Sequence, residues 1–146
     1  MKIIICSSID FTYEIDKASK KLKEKGHDVH IPFTANRILN GELTLEEYKN
    51  EKRECGDEAF RKVQSDPIKR YYKTIGESDI VLVINVEKKG IKGYIGGNTL
   101  LEMGFAHVLG KKIFLLNDIP DMSYTDEIKA MQPIVLNGDL SKIGEL

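Results

Sequence analysis

The chain of 146 residues contains no tryptophan, only two cysteines and four prolines, and no long apolar run. Cys6 and Cys55 are too few for a disulfide framework, and no CxxC or Cys/His ligand spacing accompanies them. His27, His30 and His107 are scattered, so no metal site is expected. The apolar run at residues 3–6 is too short for a signal sequence or a membrane span. An excess of one charge sign is missing as well: 22 basic residues mix with 23 acidic ones, for a formal charge of -1. That balance argues against a nucleic-acid polymer as partner, since such binders carry a basic patch or stripe. The one lysine cluster, Lys17 to Lys25, is interleaved with Leu22 and Glu24 and reads as the solvated side of a helix. A reduced, cytoplasmic protein that needs no membrane is expected.

What is present suits one domain over residues 1–146: 41% hydrophobic and 31% charged residues are ordinary for a globular protein with a single core. "KIIIC" at residues 2–6 is a β-branched run of the kind buried in parallel sheets. Phe11, Ile15, Ala18 and Leu22 then recur at helical spacing as far as Gly26. Residues 27–33 read as a second strand, and 34–41 as a loop. Thr44 and Glu47 match a capping box, which opens a charged stretch carrying Leu45, Tyr48, Cys55, Ala59 and Phe60. Asp66-Pro67 then signals a fresh helix start, Asp as N-cap and Pro in the first turn, for a helix ending at Gly76. Residues 79–86 form the strongest strand, with further strands at 112–118 and 133–138 and a short helix before the last.

Strand–helix alternation of this kind implies an α/β protein, a Rossmann-like or flavodoxin-like three-layer sandwich. Its five-stranded, mostly parallel sheet is expected in the order 2-1-3-4-5, with helices on both faces. Ligands of such sheets bind beyond the carboxyl ends of the strands, where strand order reverses. There the loop Cys6-Ser7-Ser8-Ile9-Asp10 faces residues 87–98, and Asn117 and Asp118 close the third side. Asn85, Gly96, Gly97, Asn98 and Asn117 are the candidate ligand contacts from the later loops. The glycines permit close approach and positive φ, but they match neither GxGxxG nor GxxxxGK[ST]. Lys88, Lys89 and Lys92 either meet a phosphate or form a solvated charge run.

Glu102 stands among Leu100, Leu101, Met103 and Phe105 and admits two readings. As the fourth residue of Thr99-Leu-Leu-Glu, it completes a capping box and merely holds a backbone N–H. Alternatively it points into the pocket, where the helix N-terminus favours its ionised form as a nucleophile.

"SDIVLVIN", followed after a gap by "GGNTLLEMGFAHVLGKKIFLL", resembles the nucleoside 2-deoxyribosyltransferases and the related 2'-deoxynucleoside 5'-phosphate N-hydrolases. Glu102-Met103-Gly104-Phe105-Ala106 and Gly110-Lys111-Lys112 carry the likeness, and "IIICSSI" is similar to the family's first strand and turn. The resemblance implies cleavage or transfer at an N-glycosidic bond of a nucleoside or nucleotide, through a covalent glycosyl intermediate on Glu102, without a cofactor. It implies that Ser7 and Ser8 line the sugar or phosphate end, and that Gly97 and Asn98 contact a sugar hydroxyl or phosphate. It further implies a homodimer or larger assembly, with a neighbouring subunit completing the site near residues 117–123. Relatives carry an aspartate eight residues before Asp79; here that position is Tyr71. Tyr71 and Asp79 are therefore the candidates for assisting the leaving base, against the alternatives of a packing tyrosine and a capping aspartate. A non-catalytic nucleotide-binding module is the rival to the enzyme.

Overall fold

The computed structural model describes residues 1–145; within them the side chains of Phe60, Lys62, Val63 and Gln64 lie outside the described set, and with them the expected packing of Phe60. The β-branched runs become the strands β1 (Lys2–Cys6), β2 (Asp28–His30), β3 (Ile80–Val83), β4 (Lys112–Leu115) and β5 (Ile134–Val135). All pair in parallel, in the order β2-β1-β3-β4-β5. The helices are α1 (Thr12–Glu24), α2 (Phe33–Leu39), α3 (Leu45–Glu54), α4 (Asp57–Glu77), α5 (Gly97–Val108) and α6 (Thr125–Ala130). This is the expected flavodoxin-like arrangement, with the sheet wholly parallel.

Strand pleating divides the core in two. Ile3 and Ile5 of β1 point to the face covered by Ile15, Ala18 and Leu22 of α1 and Ala35 of α2. Ile4 and Cys6 point to the opposite face, beneath Ile75 of α4, Met103 and Ala106 of α5, and Ile128 of α6. Cys6 is therefore delivered to the same side as the glutamate helix.

Three expectations are corrected. The second strand is shorter than residues 27–33, because Pro32 serves as N-cap of α2, which occupies most of the expected loop. Asp66-Pro67 does not start a helix: α4 begins after Gly56, with Asp57 and Glu58 in its first turn, and runs through Pro67. Proline forfeits one backbone hydrogen bond there, a local cost that the surrounding turns outweigh. The third strand stops at Val83, although Ile84 N–H still bonds Cys6 O at 3.1 Å. The Thr44–Glu47 capping box is present with both of its hydrogen bonds, at 3.1 Å each.

Candidate functional site

Beyond the carboxyl ends of β1 and β3 opens a cleft of about 620 Å³, within the ordinary size range of small-molecule sites. Ser7, Ser8 and Ile9 line it from the first loop, Tyr71 from α4, and Gly96, Gly97, Asn98 and Glu102 from the start of α5. A separate depression of about 780 Å³ is lined by Glu87, Gly93, Asn117, Asp118 and Asp121. Glu102 and Tyr71, both candidates from the sequence, open on the first.

The capping-box reading of Glu102 is overturned. The N-cap of α5 is Gly96, with no side-chain cap, and Thr99 is a buried residue of the first turn. Glu102 lies a turn deeper, beyond the stretch where the helix dipole acts strongly. Its carboxyl meets the thiol of Cys6, which is fully buried at the end of β1 and donates a hydrogen bond to it. Desolvation pushes the Glu102 carboxyl up to about 8, and the Cys6 hydrogen bond only partly opposes this. Burial thus favours the protonated form of Glu102 at neutral pH, contrary to the ionised form expected from the helix N-terminus. Burial, with Glu102 adding to it, likewise raises the Cys6 thiol well above its ordinary value, so it stays a neutral donor. Tyr71 is raised by burial and then by Cys6 and Glu102; its hydroxyl donates to the Ile5 carbonyl.

The first loop is held by its own hydroxyls. Ser7 Oγ donates to Ile84 O at 2.9 Å, which joins the ends of β1 and β3. Ser8 Oγ accepts from Asp10 N at 3.3 Å and starts the short 3-10 turn Ile9–Phe11. Asp10 forms ion pairs with Lys49 of α3, at 2.7 Å, and with Lys88. Lys88 thus belongs to the cleft, while Lys92 lines the other depression.

Several candidates go elsewhere. Asn85 is fully buried and spends its amide on the backbone: Nδ2 donates to Asn117 O at 3.1 Å and Asp118 O at 3.0 Å, while Oδ1 accepts from Asn117 N at 2.9 Å. Asn117 returns a bond from Nδ2 to Asn85 O at 2.9 Å. The pair is a latch between the loops after β3 and β4, and neither lines the Glu102 cleft. Gly93 serves that latch: a Cβ there would lie 2.4 Å from Asp118 O, and its φ is +69°. Asp79 sits at the amino end of β3, where its carboxylate accepts from Lys2 N at 2.7 Å. That is the opposite end of the sheet from the cleft, so Asp79 acts as a cap.

Sequence reading missed Cys6, Lys49 and Arg70. For Cys6 a signal existed: alternation along β1 puts it on the face of Ile4, where α5 packs. For Lys49 and Arg70 none did, because they arrive through the packing of α3 and α4 over the cleft mouth.

Among the described residues, no cluster of His, Cys, Asp and Glu has metal-holding geometry, and no helix is long and apolar enough to cross a membrane. No protein-family model matches the chain, and no curated protein matches it. Several solved structures are similar, two of them as follows. A 2-deoxyribosyltransferase from the psychrotolerant bacterium Bacillus psychrosaccharolyticus has a TM-score of 0.52 and 22% identity, over 79% of this chain and 71% of that one. The CMP N-glycosidase BcmB of Clostridium botulinum has a TM-score of 0.51 and 18% identity, over 100% of both chains. At these identities the likeness concerns the backbone, and the chain shares the doubly wound fold of these two enzymes.

Proposed function

We propose that the protein cleaves or transfers the N-glycosidic bond of a nucleoside or nucleotide, with Glu102 as nucleophile. The observation that carries this reading is the desolvated Glu102 carboxyl, hydrogen-bonded by Cys6, in the cleft at the sheet's switch point. Both similar structures are named for chemistry of this class, deoxyribosyl transfer in one and N-glycosidic cleavage of CMP in the other.

The Glu102 carboxyl gives up its proton to the departing base and its oxygen bonds the anomeric carbon, while the C–N bond breaks and its electron pair leaves with that base. Water or a second base then attacks the same carbon, the ester C–O bond returns its electrons to Glu102, and the proton of the attacking group restores the carboxyl. An anion is worth most where positive charge develops, and a desolvated cleft strengthens that attraction. Ionisation of Glu102 is favoured once the cationic transition state forms beside it. Cys6 positions the carboxyl, and Tyr71 walls it with its hydroxyl tied to Ile5. Ser8, Gly97 and Asn98, which line the cleft, contact the sugar or its substituent. A homodimer or larger assembly is part of this reading, because Leu101 and Val108 of α5 are 48% and 84% exposed. Light scattering that finds a monomer at tens of micromolar counts against that part.

One observation favours a binding module without catalysis: the Tyr71 hydroxyl is spent on a backbone carbonyl and cannot protonate a leaving base. Mass-spectrometric screening of the protein with nucleosides and nucleotides, with and without a second free base, separates the two. Base release that falls at least ~100-fold in Glu102→Gln, with the fold retained, is the outcome expected of the enzyme. Equal release by Glu102→Gln refutes the nucleophile, and ligand-shifted melting without any release establishes the binding module.

A further inference from the structure

The proton that Glu102 gives up has to reach a base departing on the far side of the anomeric carbon, because nucleophile and leaving group stand in line across it. A group that can take a proton and give it back is needed on the base's side, and most of the cleft cannot serve. The Tyr71 hydroxyl is spent on Ile5 O, and burial raises it and Tyr48 further still. Burial works to raise the Asp10 carboxyl as well, but Lys49 and Lys88 outweigh it and hold the group below its ordinary value, with no proton to give. Lysine and arginine, the types that Lys52 and Arg70 add to the lining, hold their protons far above neutral pH.

Of the three histidines only His30 lines the cleft. Parallel pairing sets it beside Ile4 of β1, so both side chains stand on the same face of the sheet. That is also the face of Cys6, two residues along β1, where the thiol meets Glu102. One strand over and two residues back puts the His30 backbone roughly 8 Å from that of Cys6, enough for a flat heterocycle to stand between imidazole and carboxyl. β2 is an edge strand, and His30 is exposed there, at the open margin of the cleft. Asp28, on the same face, brings its carboxylate to 3.9 Å from Nε2, too far for a hydrogen bond. Among the described residues no hydrogen bond occupies either ring nitrogen. An imidazole is the side-chain type that both takes and gives a proton near neutral pH.

We infer that His30 is the proton carrier of the reaction: its imidazole takes up the proton that Glu102 gives up and hands it to a ring nitrogen of the departing base. The inference rests on the glycosidase reading above and adds a catalytic residue to it. The Glu102 O–H breaks as its oxygen bonds the anomeric carbon, and the proton reaches His30 by way of solvent at the cleft margin. The C–N bond leaves its electron pair on the base, which gains an N–H from the imidazolium. In the second half the imidazole takes the proton of the attacking water or second base. It returns that proton to Glu102 as the ester C–O bond breaks, so His30 ends unchanged.

The test compares the full chain with its His30→Gln variant on the nucleoside or nucleotide whose base is released fastest in the screen. Loss of the carrier should lower kcat at least ~100-fold, with KM little changed and one titration step gone from the pH–rate profile. A substrate whose base is a ring-N-methylated cation, such as 7-methylguanosine or 3-methylcytidine, releases a neutral base that takes up no proton. His30→Gln should release such a base nearly as fast as wild type does. Free imidazole should restore release by His30→Ala and do nothing for Glu102→Gln. Undiminished release of the ordinary base by His30→Gln overturns the inference and leaves the glycosidase standing. So does an equal loss for both kinds of base, without imidazole rescue, in a protein of unchanged circular dichroism. No release by wild type from any substrate removes the glycosidase, and the proton carrier with it.

Discussion

The α5 wall of the cleft rests on the sheet: Thr99, Met103 and Ala106 are buried beneath it, and Glu102 meets Cys6 at the end of a central strand. The α3 wall rests on far less. That helix buries no residue; Leu45, Tyr48, Lys49 and Lys52 line the cleft, the first two half-buried and Lys49 paired to Asp10. Side chains on well-packed elements hold their geometry, whereas sparsely packed elements open at low free-energy cost. Glu102 is thus carried by the firmly packed wall, and Lys49 by the sparsely packed one.

If the α5 wall is as desolvated as its packing indicates, its largest signature is a pH-dependent stability. The folded-state Glu102 pKa, about 8, lies above its ordinary value of 4.5, so unfolding releases a proton between those limits and rising pH favours the unfolded chain. The stability contributed by the bound proton is complete below pH 4.5 and lost as pH rises through about 8. Glu102→Gln carries no such proton, so denaturant melts at about pH 5 and pH 9 should show wild type losing on the order of 3 kcal/mol relative to the variant. Parallel pH curves would mean that the carboxyl is solvated.

The loop leading into α5 is the next place to perturb. Gly93→Ala forces a side chain into left-handed backbone and against the Asp118 carbonyl, and should cost about 2 kcal/mol or more in chemical denaturation. A loss below about 0.5 kcal/mol would show that the Asn85–Asn117 latch yields easily. The smallest effect belongs to the α3 wall: Lys49→Ala breaks a half-exposed ion pair and should cost no more than about 1 kcal/mol. A cost of several kcal/mol would place that wall in the folding core and erase the contrast.

Most of the fold could be read from patterns: the β-branched run at 2–6, the first half of the run at 79–86, helical spacing from Phe11 to Leu22, and the Thr44–Glu47 box are local signals that the structure keeps. The local signals that misled were equally well formed. Asp66-Pro67 has the chemistry of a helix start and lies inside α4, and Thr99-Leu-Leu-Glu102 has that of a capping box and lies one turn past the actual start. Such motifs record what a segment can do in isolation, and the helix that forms is the one whose buried face fits the sheet.

By itself the sequence determined the alternation of strands and helices, hence the switch-point cleft, and the residues that approach it along the chain: Ser7, Ser8, Gly96, Gly97, Asn98 and Glu102. Those follow from periodicity and chain order, which act over a few residues. Only the tertiary structure decided that Cys6 would meet Glu102, that Asp79 would face the far end of the sheet, and that Lys49 and Lys88 would share Asp10. It also decided that the Glu102 carboxyl would be pushed up toward its protonated form, because desolvation is a property of everything packed around a group and of none of its neighbours in sequence.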